Sequence, residues 1–192
     1  MTRAMHLAVV ALVAAALSCG GGSSGGTIGP GPNPITASFA PDPSAPSPTS
    51  ALTITMAQSA VADDLVTVQL NVSGTNGVYG AAFEVACDSS DGCIPANVEF
   101  VQPSAGSLLE QGGNAPNYTA TATGVWPVVL GSSRTGPVAG VNVTTPQPLV
   151  KLTFRVKATG TYKIKVQNAA LIDSAGTAIP GVGWYAGSLQ GS

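Results

Sequence analysis

Residue types that carry out acid–base or nucleophilic chemistry are scarce in this chain of 192 residues. Its one histidine, His6, lies in an N-terminal stretch that we predict is removed. Without an imidazole, the remaining chain has no Ser-His-Asp triad, no Cys-His pair and no histidine metal site. Glu84, Glu99 and Glu110 could be combined on paper, but nothing in their context marks the carboxylate pair that a glycosidase needs. We therefore predict that the protein is not an enzyme and has neither a cofactor nor a metal centre.

The N-terminus has the pattern of an export signal that ends at a cysteine. Arg3 precedes an apolar run, Leu7 to Leu17, which is shorter than the roughly 20 residues of a membrane-spanning helix and matches the h-region of a secretory signal. The residues Ala16-Leu17-Ser18-Cys19 resemble a bacterial lipobox, in which the cysteine is lipidated and becomes the first mature residue. This resemblance implies a signal peptide over residues 1–18, a lipid anchor on Cys19 and, because residue 20 is not aspartate, sorting to the outer membrane or cell surface. The alternative is a plain signal peptide cleaved after Ala14-Ala15-Ala16.

Two further cysteines, Cys87 and Cys93, remain once Cys19 is assigned to the lipid. They are separated by Asp-Ser-Ser-Asp-Gly, a run of turn-forming residues, and an exported protein matures in an oxidising compartment. We therefore predict a disulfide between Cys87 and Cys93. The two aspartates of the loop lack the spacing and the terminal Glu of an EF-hand, so we interpret them as solvated turn residues rather than calcium ligands.

The stretch from Leu149 to Val166 gives the clearest structural signal. Apolar residues alternate with polar ones up to Lys157, and the alternation resumes after Gly160. Because successive side chains on a strand point to opposite faces, this pattern predicts two half-buried strands joined by a short turn. Similar segments bring the total to about nine strands, and no stretch has a helical period. The sequence predicts an all-β sandwich of two sheets over residues 51–192.

Composition separates this domain from what precedes it. Residues 19–50 are rich in Gly, Ser and Pro, and we interpret them as the lipidated cysteine followed by a disordered linker. Only 8% of the residues are charged, and the formal net charge is −2. Because there is no basic patch interleaved with aromatic residues, the sequence gives no support for nucleic-acid binding.

The order of the segments is similar to that of cohesin domains. The similarity rests on GVYGAAFEVACD, VEFVQPSAGSLL and PLVKLTFRVKATGTYKIKV, within about Leu52 to Leu189. Cohesins are nine-stranded jelly rolls, so the resemblance implies that fold and a non-catalytic module that binds a protein such as a dockerin, in the context of polysaccharide degradation. It also implies that strands three and eight share the partner-binding sheet. The outer face of that sheet would then carry Gly80, Ala82 and Glu84 from one strand, and Lys151, Thr153 and Arg155 from the other.

Other interpretations remain open at this point. The charges on those strands could simply keep a sheet soluble. Trp184 and Tyr185 could stack on sugar rings in a carbohydrate-binding module, because adjacent strand residues face opposite sides and one of the two should be exposed. Aromatic residues at strand positions are, however, also common in cores. A third interpretation is a structural part of an envelope assembly. The expected partner is thus a dockerin-like or envelope protein, or a polysaccharide.

Overall fold

The computed structural model describes residues 34–47, 52–112, 115–122 and 126–192. In this part the chain forms thirteen β-strands and one short 3-10 turn, Ser89–Asp91. The strands are β1 Ala37–Pro41, β2 Thr53–Ala62, β3 Leu65–Ser73, β4 Thr75–Val78, β5 Gly80–Ala86, β6 Val98–Ala105, β7 Asn117–Ala122, β8 Val128–Ser133, β9 Val141–Val143, β10 Gln147–Val156, β11 Gly160–Ile172, β12 Gly183–Tyr185 and β13 Gly187–Gly191. Among the described residues, no helix is long and apolar enough to cross a membrane.

Two sheets pack face to face. One has six strands in the order β1-β13-β11-β5-β8-β7, and the other has five in the order β12-β2-β3-β10-β6. β4 and β9 form a separate two-stranded ribbon. This arrangement confirms the predicted all-β, two-sheet jelly-roll sandwich. The described strands outnumber the nine expected because the closing segment splits into β12 and β13, one in each sheet, and because β1 and the ribbon were not predicted.

The core forms where the alternating apolar residues of both sheets meet. On β3 the inward residues Val66, Val68, Leu70 and Val72 are fully buried, while the residues between them are partly exposed. β10 shows the same pattern, with Phe154 among its buried residues. A one-residue slip of either strand would turn this apolar set to solvent, so burial fixes the register.

The two strands of the Leu149–Val166 segment lie in different sheets. β10 pairs with β3 on one side and with β6 on the other, so both of its edges are occupied. β11 pairs instead with β13 and β5 in the six-stranded sheet. The short connection between β10 and β11 therefore crosses from one sheet to the other and does not close a hairpin.

The predicted boundary between linker and domain at residue 51 is wrong. The structure places β1 inside the predicted linker, and the folded unit extends from Pro34 to Ser192. β1 pairs with β13 over five residue pairs, from Ala37 opposite Gly191 onward. Ala37 and Phe39 are buried in the core, at 1% and 7% exposure. This strand was missed because its alternation is short and lies between prolines.

Removing β1 is expected to destabilise the domain. A chain of residues 52–192 should unfold with a free energy about 2–3 kcal/mol lower than that of residues 34–192, since the buried Phe39 side chain is lost. Urea unfolding of the two chains measures the difference. Phe39→Ala in the longer chain should reproduce most of the loss, and equal stability of the two chains would show that β1 is dispensable.

The predicted signal peptide of residues 1–18 and the lipidated Cys19 lie outside the described residues. The same holds for the remainder of the predicted linker up to Asn33. These assignments stay predictions from the sequence.

Candidate binding face

The residues predicted to form one partner face lie on opposite sides of the sandwich. Lys151, Thr153 and Arg155 belong to β10 in the five-stranded sheet, whereas Glu84 belongs to β5 in the six-stranded sheet. The prediction that their strands share a sheet is wrong. Alternation shows correctly that each side chain points outward, but it carries no information about which sheet a strand joins.

Most charges on the outside of the five-stranded sheet pair with one another, whereas Lys151 has no ion-pair partner within 4.0 Å among the described residues. The Arg155 guanidinium lies 3.1 Å from the Asp64 carboxylate and 3.6 Å from that of Glu99, and Lys157 Nζ lies 2.9 Å from Glu99. The Lys157 hydrogen bond holds the pKa of Glu99 below its usual value. The Thr153 hydroxyl is 3.1 Å from that of Thr67 on β3. Exposed pairs of this kind add little stability, but they leave these groups already partnered.

The outside of the six-stranded sheet has a different character. Thr121, Val129, Glu84 and Gln167 stand opposite one another in register across four strands. The adjacent row consists of smaller side chains, in the order Thr119, Gly131, Ala82 and Ala170. We refer to these eight residues as the six-stranded face. Val129, near its centre, is an apolar residue that is 43% exposed. The face therefore carries a single charged residue and is built mainly from small or polar side chains, with a shallow depression lined by Ala82, Thr119 and Gly131.

Glu84 is held in place on this face by two amides. Its Oε2 accepts hydrogen bonds from Gln167 Nε2 at 3.1 Å and from Asn168 Nδ2 at 2.9 Å. Asn168 has a φ of 48° and lies at an irregularity of β11 between Gln167 and Ala170. Asparagine tolerates this left-handed conformation better than most residues do. The irregularity breaks the alternation of β11, so that the side chains of Gln167 and Asn168 both point toward the carboxylate. The polar pair Gln167-Asn168 within an otherwise alternating strand was the only sequence signal for this feature.

The disulfide loop lies beside β11, at the border of the six-stranded sheet. Cys87 and Cys93 are bonded with their Cα atoms 5.6 Å apart, which confirms the predicted pairing. The loop aspartates are not simply solvated, because Asp88 forms an ion pair with Lys165 and Asp91 lies 4.0 Å from the same ammonium group. The hydrogen bond with Asp88 raises the pKa of Lys165. Among the described residues, no group of three or more His, Cys, Asp or Glu side chains could hold a metal ion.

The aromatic pair proposed for sugar stacking is half-buried. Trp184 packs on the core residue Phe83, with the ring centroids 5.5 Å apart. Tyr185 is equally half-buried and lies over Gly183 on the same strand. The expectation that one of the two is exposed is therefore not met. Both rings sit on β12, whose short run pairs with β2 at the edge of the five-stranded sheet.

Comparison with known proteins identifies the architecture. No protein-family model and no curated protein sequence matches the chain. Among solved structures, the second type II cohesin module from the cellulosomal adaptor ScaA scaffoldin of Acetivibrio cellulolyticus is similar, with a TM-score of 0.57 and 15% identity over 72% of this chain and 96% of that one. The domain has a cohesin fold. A second similar structure comes from a type II cohesin–X-dockerin complex of the same organism, with a TM-score of 0.52 and 11% identity over 70% of this chain and 93% of that one.

The cohesin fold confirms the family resemblance at the level of architecture. At 11–15% identity the likeness extends to the path of the chain and not to individual site residues. The binding properties of this cohesin-like domain therefore depend on its own surface residues.

Proposed function

We propose that the domain is a non-catalytic module that binds a protein partner through the six-stranded face. The fold supports this proposal, because one of the two similar structures belongs to a cohesin–X-dockerin complex. By analogy, we propose a dockerin-like partner and a role linked to polysaccharide degradation. The fold alone does not specify a function, so the chemistry of the face itself has to support its role.

The observation that favours this face is that it carries few charges and that its one carboxylate is already held in place. On the five-stranded sheet Arg155 and Lys157 form ion pairs with Asp64 and Glu99, so a partner there would have to bury four charged side chains. On the six-stranded face Val129 is exposed among small residues, and the Glu84 carboxylate is fixed by two amides. Interface centres are depleted of charged residues, and groups that are fixed beforehand lose less entropy on binding. A partner that offers hydrogen-bond donors opposite Glu84 and a small apolar side chain opposite Val129 would fit.

A bulky charge at the centre of this face should abolish binding. We expect Ala82→Arg, in a chain of residues 20–192, to lower the affinity for the protein partner by roughly 100-fold or more. The new guanidinium would be buried in the interface without a counter-charge. The bait is immobilised, soluble secreted and envelope proteins of the source cell are passed over it, and retained proteins are identified by mass spectrometry. The affinity of each purified partner is then measured for the wild type and the variant by calorimetry.

Thr153→Arg provides the matched control, since it adds the same side chain to the outside of the opposite sheet. It should leave the affinity within about threefold, as expected for a surface position away from an interface. If Thr153→Arg abolishes binding and Ala82→Arg does not, the five-stranded sheet is the partner surface. If no single protein is retained specifically, the protein-binding proposal fails.

The carbohydrate-binding alternative has less support from the residues proposed for it. The Trp184 ring contacts Phe83, so a sugar could reach only its remaining surface. The structural alternative predicts a contiguous apolar patch. Among the exposed large apolar residues of the described part, Val61 on β2 and Val101 on β6 are separated by β3 and β10, Val129 lies in the other sheet, and Ile94 follows Cys93. Retention of several subunits of one envelope complex by the bait would still favour it.

We further propose that the protein is exported and anchored to the outer membrane or cell surface through lipid on Cys19. The support is the sequence Ala16-Leu17-Ser18-Cys19 after an apolar run, together with a disulfide-bonded domain, which suits an oxidising compartment. Cys19→Ala should abolish incorporation of a labelled fatty acid and release the protein from the membrane fraction. Unchanged labelling would refute the anchor.

A further inference from the structure

A buried guanidinium lies beneath the segment that connects β6 to β7. Arg134 follows β8 directly, and only 9% of its surface is exposed. Its backbone N–H donates to the Tyr79 carbonyl at 2.8 Å, which fixes the start of the side chain. Its Nη2 donates to the carbonyl of Gln111, and a Cβ atom at Gly112 would lie only 3.1 Å from that nitrogen. The guanidinium is therefore held under the Gln111-Gly112 backbone.

This cation has no carboxylate partner. All nine Asp and Glu residues of the chain lie within the described residues, so the inventory of possible partners is complete. The ion pairs within 4.0 Å involve Arg155, Lys157 and Lys165, and none involves Arg134. Arginine stays protonated in proteins, and buried charges are normally paired. The domain thus contains a buried positive charge that its own side chains do not neutralise.

Further unused hydrogen-bond donors lie near this charge. Arg134 Nε has no hydrogen-bond partner among the described residues. The same is true of the hydroxyl of Ser132, which lies two residues earlier and is also 9% exposed. Tyr118 stands directly opposite Ser132 in the β7–β8 pairing, and its buried hydroxyl is likewise unpartnered in the described part. Burial raises the pKa of Tyr118, so that this hydroxyl keeps its proton and can donate it. In the described part of the chain, none of these three N–H or O–H donors has an acceptor within hydrogen-bond distance.

We propose that Arg134, Ser132 and Tyr118 form an internal binding site for one small monovalent anion of the size of chloride. An anion accepts several hydrogen bonds at once and neutralises the guanidinium, whereas a water molecule would satisfy the hydroxyls but leave the charge uncompensated. Because Arg134 and Ser132 are each nine-tenths buried, the carboxylate of a macromolecular partner cannot reach them. The ligand is therefore a free ion from solution. The proposed anion site does not require that the six-stranded face binds a partner.

Chloride-35 NMR tests the proposal directly on residues 20–192, which include the whole folded unit. The wild-type protein should make the chloride-35 resonance broader than it is in buffer alone. Added bromide should reverse this extra broadening because it competes for the same site. Arg134→Met should lose it, while Lys163→Met, which removes an exposed lysine of β11, should keep it. In parallel, the melting temperature of the wild type should rise with chloride when gluconate keeps the ionic strength constant, and Arg134→Met should lose this dependence. Equal broadening by the wild type and a folded Arg134→Met, or equal stabilisation by gluconate and chloride, would overturn the proposal in favour of water.

Ser132→Ala keeps the test decisive if Arg134→Met does not fold. This variant removes one donor and leaves the buried charge in place. It should lower the affinity for chloride by roughly tenfold, as expected for the loss of one hydrogen bond to a charged group. An unchanged chloride affinity in folded Ser132→Ala, confirmed by circular dichroism, would refute the site.

Discussion

Replacing Phe154 with alanine is expected to lower the free energy of unfolding by about 3–5 kcal/mol, the usual cost of removing a large aromatic side chain from a core. Phe154 is fully buried, and its ring centroid lies 5.7 Å from that of Phe100 and 5.7 Å from that of Trp126. Phe100 belongs to β6 of the same sheet, whereas Trp126 precedes β8 of the other sheet. The ring therefore joins the two layers, and its loss leaves a cavity between them. Urea unfolding at constant m-value measures the effect.

Val129→Ala is the comparison for this prediction. It also truncates an apolar side chain, but one that is 43% exposed, so the stability should change by no more than about 0.5 kcal/mol. Phe154→Leu should fall between the two, because most of the volume is retained. Equal losses from Phe154→Ala and Val129→Ala would show that Phe154 is not packed between the two sheets.

Gly106→Ala should lower the free energy of unfolding nearly as much as Phe154→Ala does. We expect a loss of at least about 3 kcal/mol, which is the upper end of the usual cost of overpacking. A Cβ atom at this position would lie 2.1 Å from the Pro148 carbonyl oxygen and 2.5 Å from the carbon. Because these are backbone atoms, no side-chain rotation can relieve the clash. The backbone at Gly106 is fixed by its N–H, which donates to the Leu149 carbonyl at 3.0 Å. The substitution would force this segment away from β10 and pull Leu108 and Leu109 from the core.

Gly131→Ala isolates the steric cause. It is the same substitution at a strand glycine whose Cβ would meet no atom within 4 Å, so stability should stay within about 0.5 kcal/mol of the wild type. Thermal and urea unfolding of both variants would measure the difference. A stable Gly106→Ala protein would mean that the approach of the two backbones is looser than described.

The interior of this fold could be predicted from the sequence because apolar residues alternate with polar ones along the strands, and the apolar ones are buried. On β3 and β10 every second residue is apolar, and those are the residues that the core contains. The assignment of strands to sheets could not be predicted in the same way. Glu84 and Lys151 carry the same local signal for an outward side chain, yet the pairing partners that separate them are distant in sequence. The candidate face was therefore predicted as a mixture of two surfaces.

Two other features depend on tertiary context alone. Arg134 follows a strand and precedes a Gly-containing turn, a position where an arginine is usually exposed, and only the segment around Gln111 buries it. Phe39 is a single aromatic residue between prolines, and only the pairing of β1 with β13 shows that it belongs to the core. Composition is informative about averages over a segment, but one buried strand of five residues is lost in such an average.

The pairing of β1 with β13 also determines how the domain would respond to force. Thr36 and Ser192 exchange backbone hydrogen bonds of 2.9 and 3.1 Å, so the chain enters β1 at the end where β13 finishes. A pull on the residues before Thr36 that is directed along β1 loads its whole pairing with β13 at once. The five residue pairs with β13 are then strained together in shear and are not peeled apart one after another. Tension along β1 from its N-terminal end would thus meet the strand in the mechanically stronger geometry.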